Sequence, residues 1–303
     1  MPKPLREYNR RDLLRFQPLL HRLKQARYDA VTAIYVRRAG LRGCGEAVRP
    51  SLRGRRIMVT VAYEDPEAVA WQSQLLRRFV PDPIHIVADN SHDEDAARAI
   101  EAVAASEGRI YLRLPPNPWS GPSASRSHGL ALNWLWRNLV RPAEPEAFGF
   151  LDDDLFPTGP DDPFAPLARQ PVCGGIRSAG PRWFLWPGFC FFRYDAVRRL
   201  RLDFGQDWFA GLDTGGGNWR RFYRHLDLAA LETRREHYEE IVPGVPAEEC
   251  SLGWWGSWLH ERGTQQRLDL YGAKRAAVKA RIARLLAEGP SPAQPHARIS
   301  AAF

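Results

Sequence analysis

The chain is poor in several features that would fix a protein's class. It has four cysteines in 303 residues, and no two of Cys44, Cys173, Cys190 and Cys250 form a Cys-x-x-Cys pair. Neither a zinc site nor a disulfide framework is indicated, and the four read as small inert thiols. The most apolar stretch, WFLWPGFCFF at 183–192, is too short to span a bilayer and contains Pro187. No apolar signal core stands at the N-terminus, so the expectation is a soluble, cytoplasmic protein. No G-x-G-x-x-G or G-x-x-x-x-G-K-[ST] follows the first strand pattern, which disfavours dinucleotide-binding dehydrogenases and P-loop enzymes.

What is present is globular: 44% apolar and 11% aromatic residues. The formal charge is +8, but it is unevenly placed. Residues 1–56 hold 15 Lys or Arg against 4 Asp or Glu, so this segment is +11 and residues 57–303 are −3. Within it Leu13, Phe16, Leu20 and Leu23 recur at helical spacing among the cations, with Pro18 interrupting. Such a helix fits an anionic membrane surface or an acidic partner, and it fits equally a helix docked on the main domain with a solvated basic face.

From residue 57 strand and helix patterns alternate: IMVTVAY, PEAVAWQSQLLRRF, IHIVAD, EDAARAIEAVAASEG, RIYLRL, a Pro-rich loop at 115–122, SASRSHGLALNWLWRNLV and FGFL. Alternation of this length predicts parallel βαβ units in a covered sheet, with ligands beyond the carboxyl ends of the strands. Ala62, Tyr63 and Glu64 follow the first strand, Asp89, Asn90 and Ser91 the second, and Asp152, Asp153 and Asp154 the fourth. All are expected in one crevice.

The stretch FGFLDDDLFPTG, residues 148–159, drives a buried strand into three carboxylates. Neighbouring carboxylates repel unless a cation lies between them, and Asp oxygens suit a hard divalent ion such as Mg²⁺ or Mn²⁺. Strand alternation puts Asp152 and Asp154 on one face and Asp153 on the other.

With VTVAYED, VADNS, SRSHGLALN and FLDDD in place, the sequence resembles the GT-A class of nucleotide-sugar glycosyltransferases, most nearly the family 2 type, from about residue 57 to 267. WPGFCFFRYDAV and GLDTGGGNWRRF fit its later elements. The resemblance implies a GT-A-like, Rossmann-related mixed sheet, mainly parallel and flanked by helices. It implies a metal-dependent, inverting transfer of a sugar from a UDP, GDP or dTDP donor to a glycan, lipid-linked or small-molecule acceptor. On matching positions Asp89 would meet the base, Arg126 the diphosphate, and Asp152 the ribose or metal. Asp154 would ligate Mn²⁺ or Mg²⁺ as the second member of the Asp-x-Asp motif, with His260 completing the shell. Asp213 would be the general base, with Asp203 and Asp207 as competitors. The Gly215–Gly217 run reads as a turn or as room for a ligand.

A helical extension (1–56), a catalytic domain (57–270, divided at 159 into nucleotide and acceptor halves) and a C-terminal helix at 271–287 with a poorly ordered tail complete the expected organisation. The rivals are a haloacid-dehalogenase-like phosphohydrolase with Asp152 as nucleophile, an inactive glycosyltransferase-like scaffold, and a basic nucleic-acid binder. The first lacks a suitable downstream Lys, since only Lys274 and Lys279 follow, and the last lacks a recognition module, so no nucleic acid is expected.

Overall fold

The computed structural model describes residues 8–41, 45–241, 251–261 and 268–288. Cys44, Cys250 and the tail after Gly289 lie outside the described residues.

Three helices precede the first strand: α1 (Arg10–Leu14), α2 (Gln17–Tyr35) and α3 (Gly45–Leu52). Pro18 does not interrupt α2 but sits in its first turn, where a missing N–H leaves no helical bond unmade. The break falls just before it, at Phe16, whose φ of 52° lies in the left-handed region. One face of α2 is docked. Tyr28 is buried where Gly129 and Gly205 make room; a Cβ on those glycines would stand 2.9 Å from its hydroxyl and 2.5 Å from its ring. Tyr35 donates a buried hydrogen bond to the Pro115 carbonyl at 2.9 Å, and both Tyr35 and Leu52 belong to the cluster that packs the central sheet.

The expected alternation comes next: β1 (Arg56–Ala62), α4 (Pro66–Phe79), β2 (Ile84–Asp89), α5 (Glu94–Ser106), β3 (Ile110–Arg113) and α6 (Ala124–Leu135). Asp65 and Asp93 begin α4 and α5 by accepting from the Ala68 and Ala96 amides, the local signal that stops each loop. α6 continues through a π-helical turn, Trp136–Val140, into α7 (Arg141–Ala143), which leads to β4 (Ala147–Asp152). The later part comprises β5 (Leu155–Pro157), β6 (Val172–Ala179), β7 (Arg182–Arg193), α8 (Tyr194–Val197), β8 (His237–Glu240), β9 (Ser251–Trp255), β10 (Trp258–His260) and α9 (Leu268–Ala287). The last helix thus begins before the expected residue 271.

The fold is a mixed α/β architecture with a mainly parallel central sheet flanked by helices, as expected of a GT-A-like fold. Its order is β3-β2-β1-β4-β7-β6, with β1 to β4 parallel and β7 antiparallel to both β4 and β6. A smaller antiparallel sheet, β5-β10-β9-β8, stands beside it. The apolar run 183–192 is the body of β7. Phe189 and Phe191 pack into one core cluster and Cys190 and Phe192 into the other, which is why the run does not alternate with polar residues.

Because Tyr28 fills a gap between two glycines, Tyr28→Ala should lower the unfolding free energy of the whole chain by about 3 kcal/mol, whereas Leu23→Ala on the exposed face should change it by less than about 0.5 kcal/mol. Urea unfolding monitored by tryptophan fluorescence measures both; equal midpoints for the two variants would mean that the extension is not part of the cooperative unit.

Candidate functional site

The site begins with strand register. β1 lies between β2 and β4, with Ala62 opposite Asp89 and Val61 opposite Asp152, so three strand ends stop at one level. After β1 the chain swings away through Glu64, whose φ of 55° is strained for a residue with a side chain. Its carboxylate is held by the His92 and Asp93 amides at 3.2 Å, at the start of α5.

The turn between β4 and β5 carries the acidic cluster and is pinned from two sides. From α4, the buried Gln72 donates to the carbonyls of Asp152 and Leu155, both at 2.7 Å, while its own oxygen accepts from Thr60. From the small sheet, β10 pairs with β5 so that His260 stands opposite Leu155, and the Glu261 amide donates to the Asp154 carbonyl at 2.9 Å. Asp153 points the other way and accepts from the Tyr63 amide at 2.7 Å. Asp152, Asp154 and His260 converge, each offering a ligand atom within 4.8 Å of the others.

His260 is buried between two carboxylates. Its Nδ1 faces Glu236 Oε1 at 3.2 Å and its Nε2 faces Asp154 Oδ1 at 3.5 Å. A proton on the Glu236 side leaves Nε2 turned toward the cluster, the arrangement in which an outer carboxylate orients a histidine ligand. Burial alone would lower this imidazole's pKa, but Asp154 and Glu236 outweigh it and carry it to about 9. Burial would raise Asp154, and the facing imidazole instead holds it below the usual carboxylate range. Asp152 is raised, by burial first and then by Asp154 against the opposing pull of His128 and His260; Asp153 is raised well above its ordinary value by burial and by Asp154.

These residues fit a divalent cation. Asp154 Oδ1 is buried without a hydrogen-bond partner, and so is His128 Nε2, which lies 3.1 Å from Asp152 Oδ1 without bonding to it. Two carboxylates and an imidazole make a donor set suited to Mn²⁺ or Mg²⁺. Gly188 keeps the cluster open. A Cβ there would lie 2.4 Å from Asp152 Oδ2 and 2.2 Å from the Trp186 ring.

The cluster opens on a cavity of about 880 Å³. Of the residues singled out from the sequence, Tyr63, Glu64, Asn90, Asp152, Asp153, Asp154 and Asp213 line it. Ala62 is fully buried in the sheet, and His260 lies behind Asp154. Two placements differ from expectation. Asp89 is closed inside the fold, where it accepts from Arg113 at 2.8 Å, the Tyr111 hydroxyl at 2.7 Å and the Ser91 amide at 2.8 Å. A buried guanidinium needs that carboxylate, so it ties β2 to β3 rather than facing the cavity. Arg126 is likewise not among the lining residues; its guanidinium sits over the rings of Trp119 and Trp208, at 4.8 and 5.0 Å.

Of the three candidate bases, only Asp213 lines this cavity. Asp203 accepts from Asn133 and the Gly205 amide, and Asp207 from the Phe209 and Ala210 amides, both turned elsewhere. Asp213 Oδ1 accepts from Gln206 Nε2 and the Thr214 amide, each at 2.8 Å, and Thr214 Oγ1 donates to the Ser125 carbonyl at 2.8 Å, joining this loop to α6. The glycines after it are spacers for close packing: a Cβ on Gly215 would meet the Leu185 carbonyl at 2.6 Å, and one on Gly217 the Asp203 carbonyl at 2.6 Å.

Sequence reasoning missed His128, Arg177, Glu261, Tyr271 and Arg275, all in the cavity wall. His128 carried a signal, since it lies one helical turn beyond Ala124 at the start of α6, which faces the strand ends. Arg275 carried none. It reaches from α9 to Asp65 at 2.8 Å, Glu67 at 3.2 Å and Glu261 at 2.7 Å, contacts that only the assembled fold creates. Among the tryptophans, Trp186 lines the cavity, stacked on Trp255 at 5.4 Å, whereas Trp183, Trp255 and Trp258 are core.

No family model matches the chain, and no curated protein matches it in sequence. Among solved structures, 31 chains match. Two are crystal structures of the galactosyltransferase LgtC, one in complex with donor and acceptor sugar analogues and one of an active-site mutant. Each is 15% identical at a TM-score of 0.35, over 47% of this chain and 59% of the LgtC chain. The likeness spans less than two thirds of that protein's length.

The His260 pair gives a signed pH dependence. A pKa raised from 6.5 to about 9 contributes stability that is complete below 6.5 and is lost as pH rises through 9. In the metal-free protein the urea midpoint should fall across that window, and His260→Gln should flatten the fall. Because that imidazole also holds Asp154 down, the difference between the two proteins reports the His260–Asp154 pair as a unit; identical profiles would remove the charged pair.

Proposed function

We propose that this chain is a metal-dependent nucleotide-sugar glycosyltransferase of the GT-A, family 2-like type, working in the cytoplasm. The carrying observation is the convergence of Asp152, Asp154 and His260 at the carboxyl edge of the parallel strands, on a cavity that also takes in Asp213 and the start of α6. An acidic cluster beside a large cavity at this edge suits a nucleoside diphosphate better than a neutral metabolite.

The first turn of α6 supports the same ligand. Ala124, Ser125, Ser127 and His128 line the cavity, and the residue before the helix, Ser123, makes no side-chain cap. Its leading amides are thus available to phosphate oxygens at the positive end of a helix dipole. With Arg126 drawn between two indoles and Arg275 held by Asp65, Glu67 and Glu261, these amides and His128 take over the diphosphate role expected of Arg126. With Asp89 occupied by Arg113, Asn90 and Tyr63 are the groups at the β1 and β2 ends left to meet the nucleoside.

A divalent ion held by Asp152, Asp154 and His260 would supply positive charge to the departing diphosphate. The chain's own part is to orient the sugar, exclude water and move one proton. Both main-chain and side-chain donors to Asp213 go to Oδ1, and Oδ2 takes no hydrogen bond among the described residues. That oxygen is placed to accept the proton of an acceptor hydroxyl as the hydroxyl oxygen attacks the anomeric carbon and the bond to the diphosphate breaks, with inversion. The acceptor is a glycan, a lipid-linked glycan or a small molecule. For a phosphohydrolase the needed lysine is missing from the cavity: Lys279 pairs with Glu67 outside, at 2.8 Å, and Lys274 is not among the lining residues.

Calorimetric titration with UDP, GDP and dTDP, each with and without Mn²⁺, tests the proposal. One nucleotide should bind in a Mn²⁺-dependent way, and the Asp152→Asn/Asp154→Asn variant should lose that binding; no nucleotide bound under either condition sinks it. Asp213→Asn should keep nucleotide affinity and lose transfer by about 10²- to 10⁴-fold, with product anomeric configuration read by NMR. Undiminished transfer, or retained configuration, would remove Asp213 from the role of base.

A further inference from the structure

The outer face of α1 and α2 is unlike the rest of the surface. Among the described residues, all exposed large apolar side chains but Tyr238 and Leu286 fall between Leu13 and Leu41. Phe16 is 69% exposed, Leu19 55%, Leu23 58% and Ile34 59%. Phe16, just before α2, and Leu19, Leu23, Ala26, Ala30 and Ile34 within it recur at three- and four-residue spacing and so form one stripe. The opposite face, with Tyr28 and Tyr35, is the one docked on the core. A helix held by one apolar face ordinarily shows water a polar one. Here the second face is apolar as well.

Around the stripe positive charge predominates, with Asp12 and Asp29 the acids of α1 and α2. Arg10, Arg11, Arg15 and Arg22 are exposed, and none has a carboxylate partner among the described residues; Arg37 and Arg38 donate only to main-chain carbonyls. We propose that this face is an interfacial docking surface for an anionic lipid bilayer: the leucine stripe enters the acyl boundary while the arginine rim meets lipid phosphates. No described helix is long and apolar enough to cross a membrane, so the contact is made in the plane of the interface. A second copy of the chain is the other natural cover for an apolar stripe. Packing two such faces together would bring the same arginine rims into apposition, and repulsion opposes it.

The same helix leans on the cavity. Lys24 lies over the Trp208 ring at 5.5 Å and Arg27 over the Trp119 ring at 5.0 Å, the Trp208 amide donates to Gln25 at 3.1 Å, and Ser120 and Gly121, next to Trp119, line the cavity. Docking would therefore bring the cavity mouth toward the lipid surface and select a lipid-linked acceptor. That last step rests on the proposed glycosyltransferase activity; binding to the bilayer does not.

The test is co-sedimentation of the full chain, without nucleotide, with vesicles of phosphatidylcholine and with vesicles of phosphatidylcholine mixed with phosphatidylglycerol. Binding is expected to the mixed vesicles, to weaken with salt, and to fall about tenfold or more both in Leu19→Ser/Leu23→Ser and in Arg11→Glu/Arg15→Glu/Arg22→Glu. Unchanged thermal midpoints show that these variants fold. Absence of binding to the mixed vesicles overturns the proposal, as does full binding by the serine variant. A dimer in sedimentation velocity that the serine variant dissolves also overturns it, by giving the stripe to a second copy. Vesicle binding without nucleotide binding would leave this surface standing and remove only the glycosyltransferase function.

Discussion

The candidate site depends on holding three carboxylates in one turn against their mutual repulsion. Two restraints that meet at Leu155 do so: the Gln72 carboxamide, which spans the carbonyls on either side of the turn, and the β5–β10 ladder, which sets His260 beside Asp154. Neither restraint neutralises the charge. His260 answers Asp154, while burial first, and Asp154 next to them, raise Asp152 and Asp153, so their charged forms are disfavoured until a cation offsets the cost.

The neighbouring strand end treats its acid in the opposite way. Asp89 is fully buried and saturated by Arg113, Tyr111 and the Ser91 amide, and makes a rigid joint between β2 and β3. Two aspartates at one level of one sheet thus part into a structural ion pair and an open ligand. Their neighbouring strands make the difference. β3 brings Arg113 to Asp89, while β7 brings Gly188, with no side chain at all, to Asp152.

This contrast also marks what was legible in the sequence. The strand and helix order through Asp152 followed from apolar periodicity, whereas the separation of Asp153 from Asp152 and Asp154, expected of strand alternation, arises in a turn, since β4 ends at Asp152. His260 was found in a tryptophan-rich segment and set beside Asp154 through the resemblance, but Glu236 was not found, because it reaches the imidazole only where β8, β9 and β10 pair. Arg126 looked like a phosphate ligand because its spacing says nothing of Trp119 and Trp208, which come from other segments to cover it. Pro18 looked like an interruption where it begins a helix, since a proline signals the same break from either side. The basic extension allowed two descriptions, and the docked one is seen, with Tyr28 and Tyr35 buried against the main domain.

Arg275 has a consequence for how the chain is made. It joins Asp65 across 210 residues, and with Tyr271 it supplies one wall of the cavity from the last described helix. A nascent chain with everything before α9 already contains every described strand and every candidate cation ligand, yet its cavity stays open on that side. Closure waits until α9 has left the ribosome, so the residues of the acidic turn are made early and the arginine that closes this wall is made late.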